Sequence, residues 1–106
     1  MTEPAVRRSG HHYEIRVDGE LAGLTQFRDR EDQRVFYHTE IAGTFRGKGM
    51  SAVLIAAALD DTRAADMRIV PVCPAVAKYL TKHTEFADIT DPVAPDILNW
   101  LDAVLA

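Results

Sequence analysis

The run Arg46-Gly47-Lys48-Gly49-Met50-Ser51 stands between a strand-like stretch and an Ala-rich helix-like stretch, and it constrains this chain more than any other feature. Two glycines let the backbone approach a ligand with no Cβ in the way. The first amides of the helix that follows have no intrahelical partners and point outward at a positive helix end. Arg46 and Lys48 add charge there, so the segment suits a diphosphate better than a neutral ligand.

The flanks set the order of elements. Tyr13, Ile15 and Val17 alternate with Glu14 and Arg16, Asp18-Gly19 gives a hairpin turn, and Leu21 to Phe27 reads as the return strand. Arg28 to Gln33 is a charged turn and Val35 to Ile41 a third strand, making an antiparallel meander. After the loop, Met50, Val53, Leu54, Ala57 and Ala58 recur as one face of an amphipathic helix running to about Ala65. Met67 to Cys73 reads as a strand interrupted by Pro71, which cannot donate to a ladder and so should part from a neighbour.

Pro74 suits the first turn of a helix that carries Val76, Tyr79 and Leu80 to about Lys82. Asp91-Pro92 breaks the chain, and Pro95 opens a last helix with Ile97, Leu98, Leu101, Val104 and Leu105 on one stripe and Trp100 beside it. Residues 1–10 read as a flexible start. With no repeats or linkers, residues 1–106 are expected to form one domain.

Two other phosphate motifs fit the loop poorly. A Walker A loop needs four residues between its first glycine and Gly-Lys, whereas Gly43 stands one residue too near, and Gly49 occupies the hydroxyl position. A dinucleotide fingerprint through Gly47, Gly49 and Ala52 should open a parallel βαβ unit with an acid ending the second strand; here a meander comes first and Asp66 precedes the strand.

Arg-x-x-Gly-x-small, filled by Arg46, Gly49 and Ser51 after strand 35–41, resembles the GNAT superfamily of acyl-CoA-dependent N-acetyltransferases. His38-Thr39-Glu40-Ile41, then Phe45 to Gly49, then Pro71-Val72-Cys73-Pro74 with Tyr79 and His83 to Phe86, is similar to its short branch of roughly 100-residue proteins, over about residues 12–90. The resemblance implies an α+β fold: a mixed, mostly antiparallel sheet, a CoA-binding helix after the glycine loop and a second helix after Cys73. It implies acetyl-CoA as cosubstrate, with Arg46, Gly47, Lys48, Gly49, Met50 and Ser51 at the diphosphate and the backbone of Glu40 and Ile41 at the pantetheine arm. The helices that cover the acceptor in longer relatives are missing.

Four residues are candidates for the chemistry. Cys73 falls just before a helix, where the dipole favours a thiolate that could accept the acetyl group and pass it on; free cysteines also serve as small buried hydrophobes. If it is inert, the acceptor amine attacks directly and needs a base, with an acid for the departing thiolate. His38 and Glu40, two apart on one strand, leave the same face and could relay a proton. Tyr79 matches the tyrosine that protonates CoA in longer relatives, although the stretch from Tyr79 to Phe86 is two residues longer than the usual pattern.

His11, His12, His38 and His83 show no recurring ligand spacing, so no metal site is expected. The net charge of −4 argues against a nucleic-acid protein, and from Thr84 onward there are five acids with no Lys or Arg. No stretch is long and apolar enough for a membrane helix, and a lone cysteine at position 73 cannot form an internal disulfide; the chain is expected in the cytoplasm. Three functions remain open: an acetyltransferase acting on a small amine or lysine side chain, a non-catalytic acyl-CoA-binding or sensor module, and an interaction protein whose glycine loop is only a tight turn. The apolar stripe of 95–106 must be covered, either by its own sheet or by a second copy in a homodimer.

Overall fold

The computed structural model describes residues 3–106. Five strands form one sheet in sequence order: β1 (Ala5–Ser9), β2 (His12–Val17), β3 (Glu20–Arg30), β4 (Gln33–Ile41) and β5 (Arg68–Pro71). The first four are antiparallel neighbours, and β5 joins β4 in parallel. The parallel crossover is made by helix α1 (Met50–Ala64); α2 (Pro74–Lys82) and α3 (Pro95–Leu105) follow β5. The mixed, mostly antiparallel sheet with a helix after the glycine loop and another after Cys73 is the architecture expected from the sequence.

The hairpin turn is at Asp18-Gly19, both at positive φ (52° and 80°), as a type I′ turn requires. The charged stretch after Phe27 corrects the expected boundaries. Strand β3 continues to Arg30, and the turn shrinks to Glu31-Asp32, with Glu31 at φ 55°. Polar residues hold this ladder because Asp29 lies directly opposite Arg34 and accepts two hydrogen bonds from its guanidinium, at 2.9 and 3.1 Å. The flexible start is corrected too: Ala5–Ser9 pairs with β2 from Ala5↔Arg16 to Ser9↔His12, while residues 1 and 2 lie outside the described part.

One face of the sheet carries the main core. Tyr13, Ile15, Phe27 and Phe36 pack under Leu54, Ile55, Ala58 and Leu59 of α1, joined by Val76 of α2 and by Phe86. The helical stripe is rotated from the expected one, for Val53 is 42% exposed whereas Ile55 and Leu59 are buried. Residues 52–59 are all apolar, so their periodicity does not fix which side turns inward. The opposite face carries a smaller core in which Val35 and Val70 meet Ile97 and Leu101 of α3. Helix α3 thus docks on its own sheet through Ile97 and Leu101, leaving Leu98 and Leu105 exposed.

Two details of β4 shape the region beyond it. Gln26 pairs with His38 and Phe27 with Phe36, so Tyr37 is an extra residue, a β-bulge that reverses the inward and outward alternation. Before it Phe36 faces α1; after it Thr39 takes that face, opposite Thr25, and His38 and Glu40 take the other. The ladder with β5 ends at Phe36↔Pro71, and the amide of Cys73 donates to the carbonyl of Phe36 at 2.8 Å. From Tyr37 to Ile41 the β5-facing edge of β4 has no strand beside it. The parting anticipated from Pro71 is present.

Candidate active site between two helices and a parted sheet

Where β4 and β5 separate, a cleft of about 450 Å³ opens between the start of α1 and one side of α2. Ile41 enters it from the end of β4, Phe45, Arg46, Gly47 and Gly49 from the loop, Met50 to Ala52 and Ile55 from α1, and Ala75, Lys78, Tyr79, Lys82 and His83 from α2 and its end. The volume lies in the range of small-molecule sites.

The glycine loop has the geometry its sequence requires. Gly47 and Gly49 sit at φ 76° and 78°, a region costly for residues with a Cβ. A Cβ at either position would meet no protein atom within 4 Å, so the space beside the loop is open. Gly49 caps α1 without any side-chain hydrogen bond, and the first turn has no acid. The leading amides of α1 therefore remain free donors at a positive helix end.

Charge reinforces this. Among the described residues, seven of the twelve Lys and Arg side chains have a carboxylate within 4.0 Å. Arg46, Lys48, Lys78 and Lys82 have none, and all four lie on the cleft wall or in its loop; Arg28, also without one, lies on the opposite sheet face. Uncompensated cations beside free amides suit a polyanion such as a diphosphate.

The sequence candidates divide. Ile41, Arg46, Gly47, Gly49, Met50, Ser51 and Tyr79 share the cleft wall, whereas Lys48, Glu40, His38 and Cys73 are not on it. His38 and Glu40 do share a face, with Nε2 and Oε1 3.2 Å apart, but the bulge turns that face away from α1. Cys73 is 3% exposed, and its thiol donates to Thr39 Oγ1 at 3.2 Å; Thr39 in turn lies 2.8 Å from Thr25 Oγ1. Tyr79 stacks on His83 at 3.9 Å between ring centres. Burial raises its phenol pKa, aided by the negative charges of Glu85 and Asp60, so the proton is held firmly at the cleft wall. The sequence reading missed Lys78, Lys82 and His83; the signal was the four-residue spacing of Lys78 with Lys82 on α2 and of Tyr79 with His83, the residue that caps it.

A helix thus follows the glycine loop, β4 and β5 part beside it, and Arg46, Lys78 and Lys82 line the cleft between α1 and α2. A sequence profile of the GCN5-related N-acetyl-transferases matches residues 12–89, and the chain belongs to that family. No curated protein matches it in sequence. Among solved structures it is similar to a Staphylococcus aureus protein described as a GCN5-like N-acetyltransferase, at 14% identity and TM-score 0.61, covering 86% of this chain and 91% of that one. It is also similar to the ribosomal-protein-S18-alanine N-acetyltransferase of Escherichia coli (13% identity, TM-score 0.57, 70% of this chain and 50% of that). A Desulfovibrio desulfuricans protein described as a GNAT-family acetyltransferase aligns at 15% identity and TM-score 0.53, over 68% of this chain and 52% of that. The chain spans about half the length of these last two, and at such identities the likeness is one of fold. Members of this family use acetyl-CoA, and the protein is an acetyltransferase by family. No helix among the described residues is long and apolar enough to cross a membrane.

Proposed function

We propose that the chain transfers an acetyl group from acetyl-CoA to the nitrogen of a small amine or an exposed lysine. The observation that carries the reading is the cleft itself: the free leading amides of α1 and the unpaired cations Arg46, Lys78 and Lys82 stand around it, and Ile41, the last residue of the strandless stretch of β4, enters its wall. The residues fit the cosubstrate, because open flanks at Gly47 and Gly49 leave room where a Cβ would intrude. Acetyl-CoA supplies the acetyl group as a reactive thioester. The amides from Gly49 to Ser51 with Arg46 bind phosphate, and the edge of β4 up to Ile41 offers backbone hydrogen-bonding groups to an amide-bearing arm.

The chemistry assigned to the protein is proton management. Tyr79, kept protonated at the cleft wall, is the acid that donates to the departing thiolate. His38 and Glu40, hydrogen-bonded at 3.2 Å on the other sheet face, are the base this reading assigns to an amine approaching from that side. Cys73 is buried and off the cleft wall, which supports direct attack by the amine over an acetylated thiol. Calorimetry with CoA, followed by turnover of acetyl-CoA across a panel of amines and lysine peptides, tests the reading. Binding without turnover on any acceptor would instead support an acyl-CoA-binding module, and absence of binding would remove both.

A further inference from the structure

We infer that Lys78 and Lys82 form a second phosphate site, separate from the glycine loop, that recognises the ribose 3′-phosphate of CoA and lets the protein discriminate against the dephosphorylated nucleotide. The inference rests on the acetyl-CoA reading and extends it to one part of the ligand.

The two lysines stand four residues apart on α2, so both project from the same side of the helix, and both line the cleft. Neither has a carboxylate partner among the described residues. Glu85, the acid at this end, lies 3.8 Å from His83 instead. Two cations one helical turn apart repel modestly, and an anion bound between them would relieve that repulsion.

Position decides which anion. The diphosphate has its donors in the loop amides and Arg46, on the α1 side of the cleft. Along α2, Ala75 adjoins the parted strands, and Lys82 lies seven residues further, about 10 Å along the axis at 1.5 Å per residue. With the thioester toward the parting of β4 and β5, the nucleotide would lie toward the Lys82 end of α2. CoA carries a third phosphate there, on the ribose, with about two negative charges at neutral pH. Lys78, one turn nearer Ala75 on the same side of α2, shares that phosphate with Lys82.

Titration calorimetry of the full chain with CoA and with 3′-dephospho-CoA tests the assignment. The unmodified protein should bind CoA about tenfold or more tightly, the range of charge-assisted hydrogen bonds to one phosphate, and the preference should shrink as salt rises. Lys82→Gln should lower affinity for CoA and leave that for dephospho-CoA unchanged, and Lys78→Gln with Lys82→Gln should abolish the preference. Equal affinity of the unmodified protein for both nucleotides overturns the second site while the acetyl-CoA reading stands. So does an equal loss of both nucleotides in the double variant. Failure to bind either nucleotide overturns both.

Discussion

The thiol of Cys73 donates to Oγ1 of Thr39 at 3.2 Å, across the point where β4 and β5 part. Thr39 faces Cys73 only because the bulge at Tyr37 has reversed the alternation of β4. Sulfur and hydroxyl therefore tie the two strands together immediately beyond their last ladder pair. On direct attack by the amine, Cys73→Ala keeps CoA binding and turnover, at a stability cost of roughly 1 kcal/mol for a lost buried hydrogen bond and a small void. Intact-mass analysis after incubation with acetyl-CoA should show no acetyl group on the peptide containing Cys73. An acetylated thiol together with a dead Cys73→Ala variant would establish the covalent route.

Gly49 holds φ 78° at the N-terminus of α1, with open space where a Cβ would stand. Gly49→Val places a branched side chain in that space and in a left-handed conformation, costing about 1–2 kcal/mol of stability. CoA affinity should fall by more than about tenfold, equivalent to 1.4 kcal/mol. Unchanged affinity in a folded variant would detach the loop from ligand binding.

Tyr79 stands on the cleft wall, where burial and the charges of Glu85 and Asp60 raise its pKa; the proposed reaction makes it the acid. Tyr79→Phe should lower kcat by about 10²-fold or more, the range of general-acid contributions, with little change in CoA affinity. Loss of affinity without loss of kcat would make Tyr79 a packing residue for the ligand.

Much of this architecture was written locally. Pro74 and the apolar positions that follow mark α2 at Pro74–Lys82, and Asp18-Gly19 marks its hairpin, because proline geometry and positive φ are properties of single residues. The strand Ala5–Ser9 was illegible for the opposite reason. Only Val6 packs against the core, and what holds Ala-Val-Arg-Arg-Ser extended is a ladder with β2. The bulge was hidden too, since Phe36-Tyr37-His38 reads as an ordinary strand until the pairing with β3 shows one residue too many. That one residue separates the candidate site into two faces: Thr39 toward Cys73, His38 and Glu40 away. The glycine loop was legible because glycine spacing dictates it, whereas Lys78 and Lys82 acquire meaning only once α2 lies opposite α1.

Tyr13 couples the sheet to α1. Its hydroxyl donates to Asp61 Oδ2 at 2.6 Å and accepts from buried Arg34 at 2.5 Å. Burial, then the hydrogen bond to Asp61, pushes the phenol pKa up to about 12 from its ordinary 10.0. A raised pKa means the folded state favours the protonated phenol, so this contribution is complete below pH 10 and is lost as the pH rises through 12. Urea unfolding at a series of alkaline pH values should show a steeper loss of stability in the unmodified protein than in Tyr13→Phe. Parallel curves would show that the phenol does not couple to folding.

Helix α3 tests how its apolar stripe is covered. Ile97 and Leu101 are 4% and 5% exposed against Val35 and Val70, while Leu98 and Leu105 look outward. Arg30 adds an edge contact, with its guanidinium 5.9 Å from the centre of the Trp100 ring and hydrogen-bonded to Asp96. A helix of 11 residues is marginal alone, so its order derives from this docking. Leu101→Ala should then cost about 2–4 kcal/mol, the range for truncating a buried leucine. Deleting the chain after Asp91 should expose Val35 and Val70 and lower Tm further. If docking is intramolecular, both shifts are independent of protein concentration and light scattering gives a monomer before and after. A Tm that rises with concentration, or a mass that halves on truncation, would mean that a second copy covers part of the stripe. Leu98 and Leu105 are then the residues to change, since they alone of the five expected stripe positions are exposed.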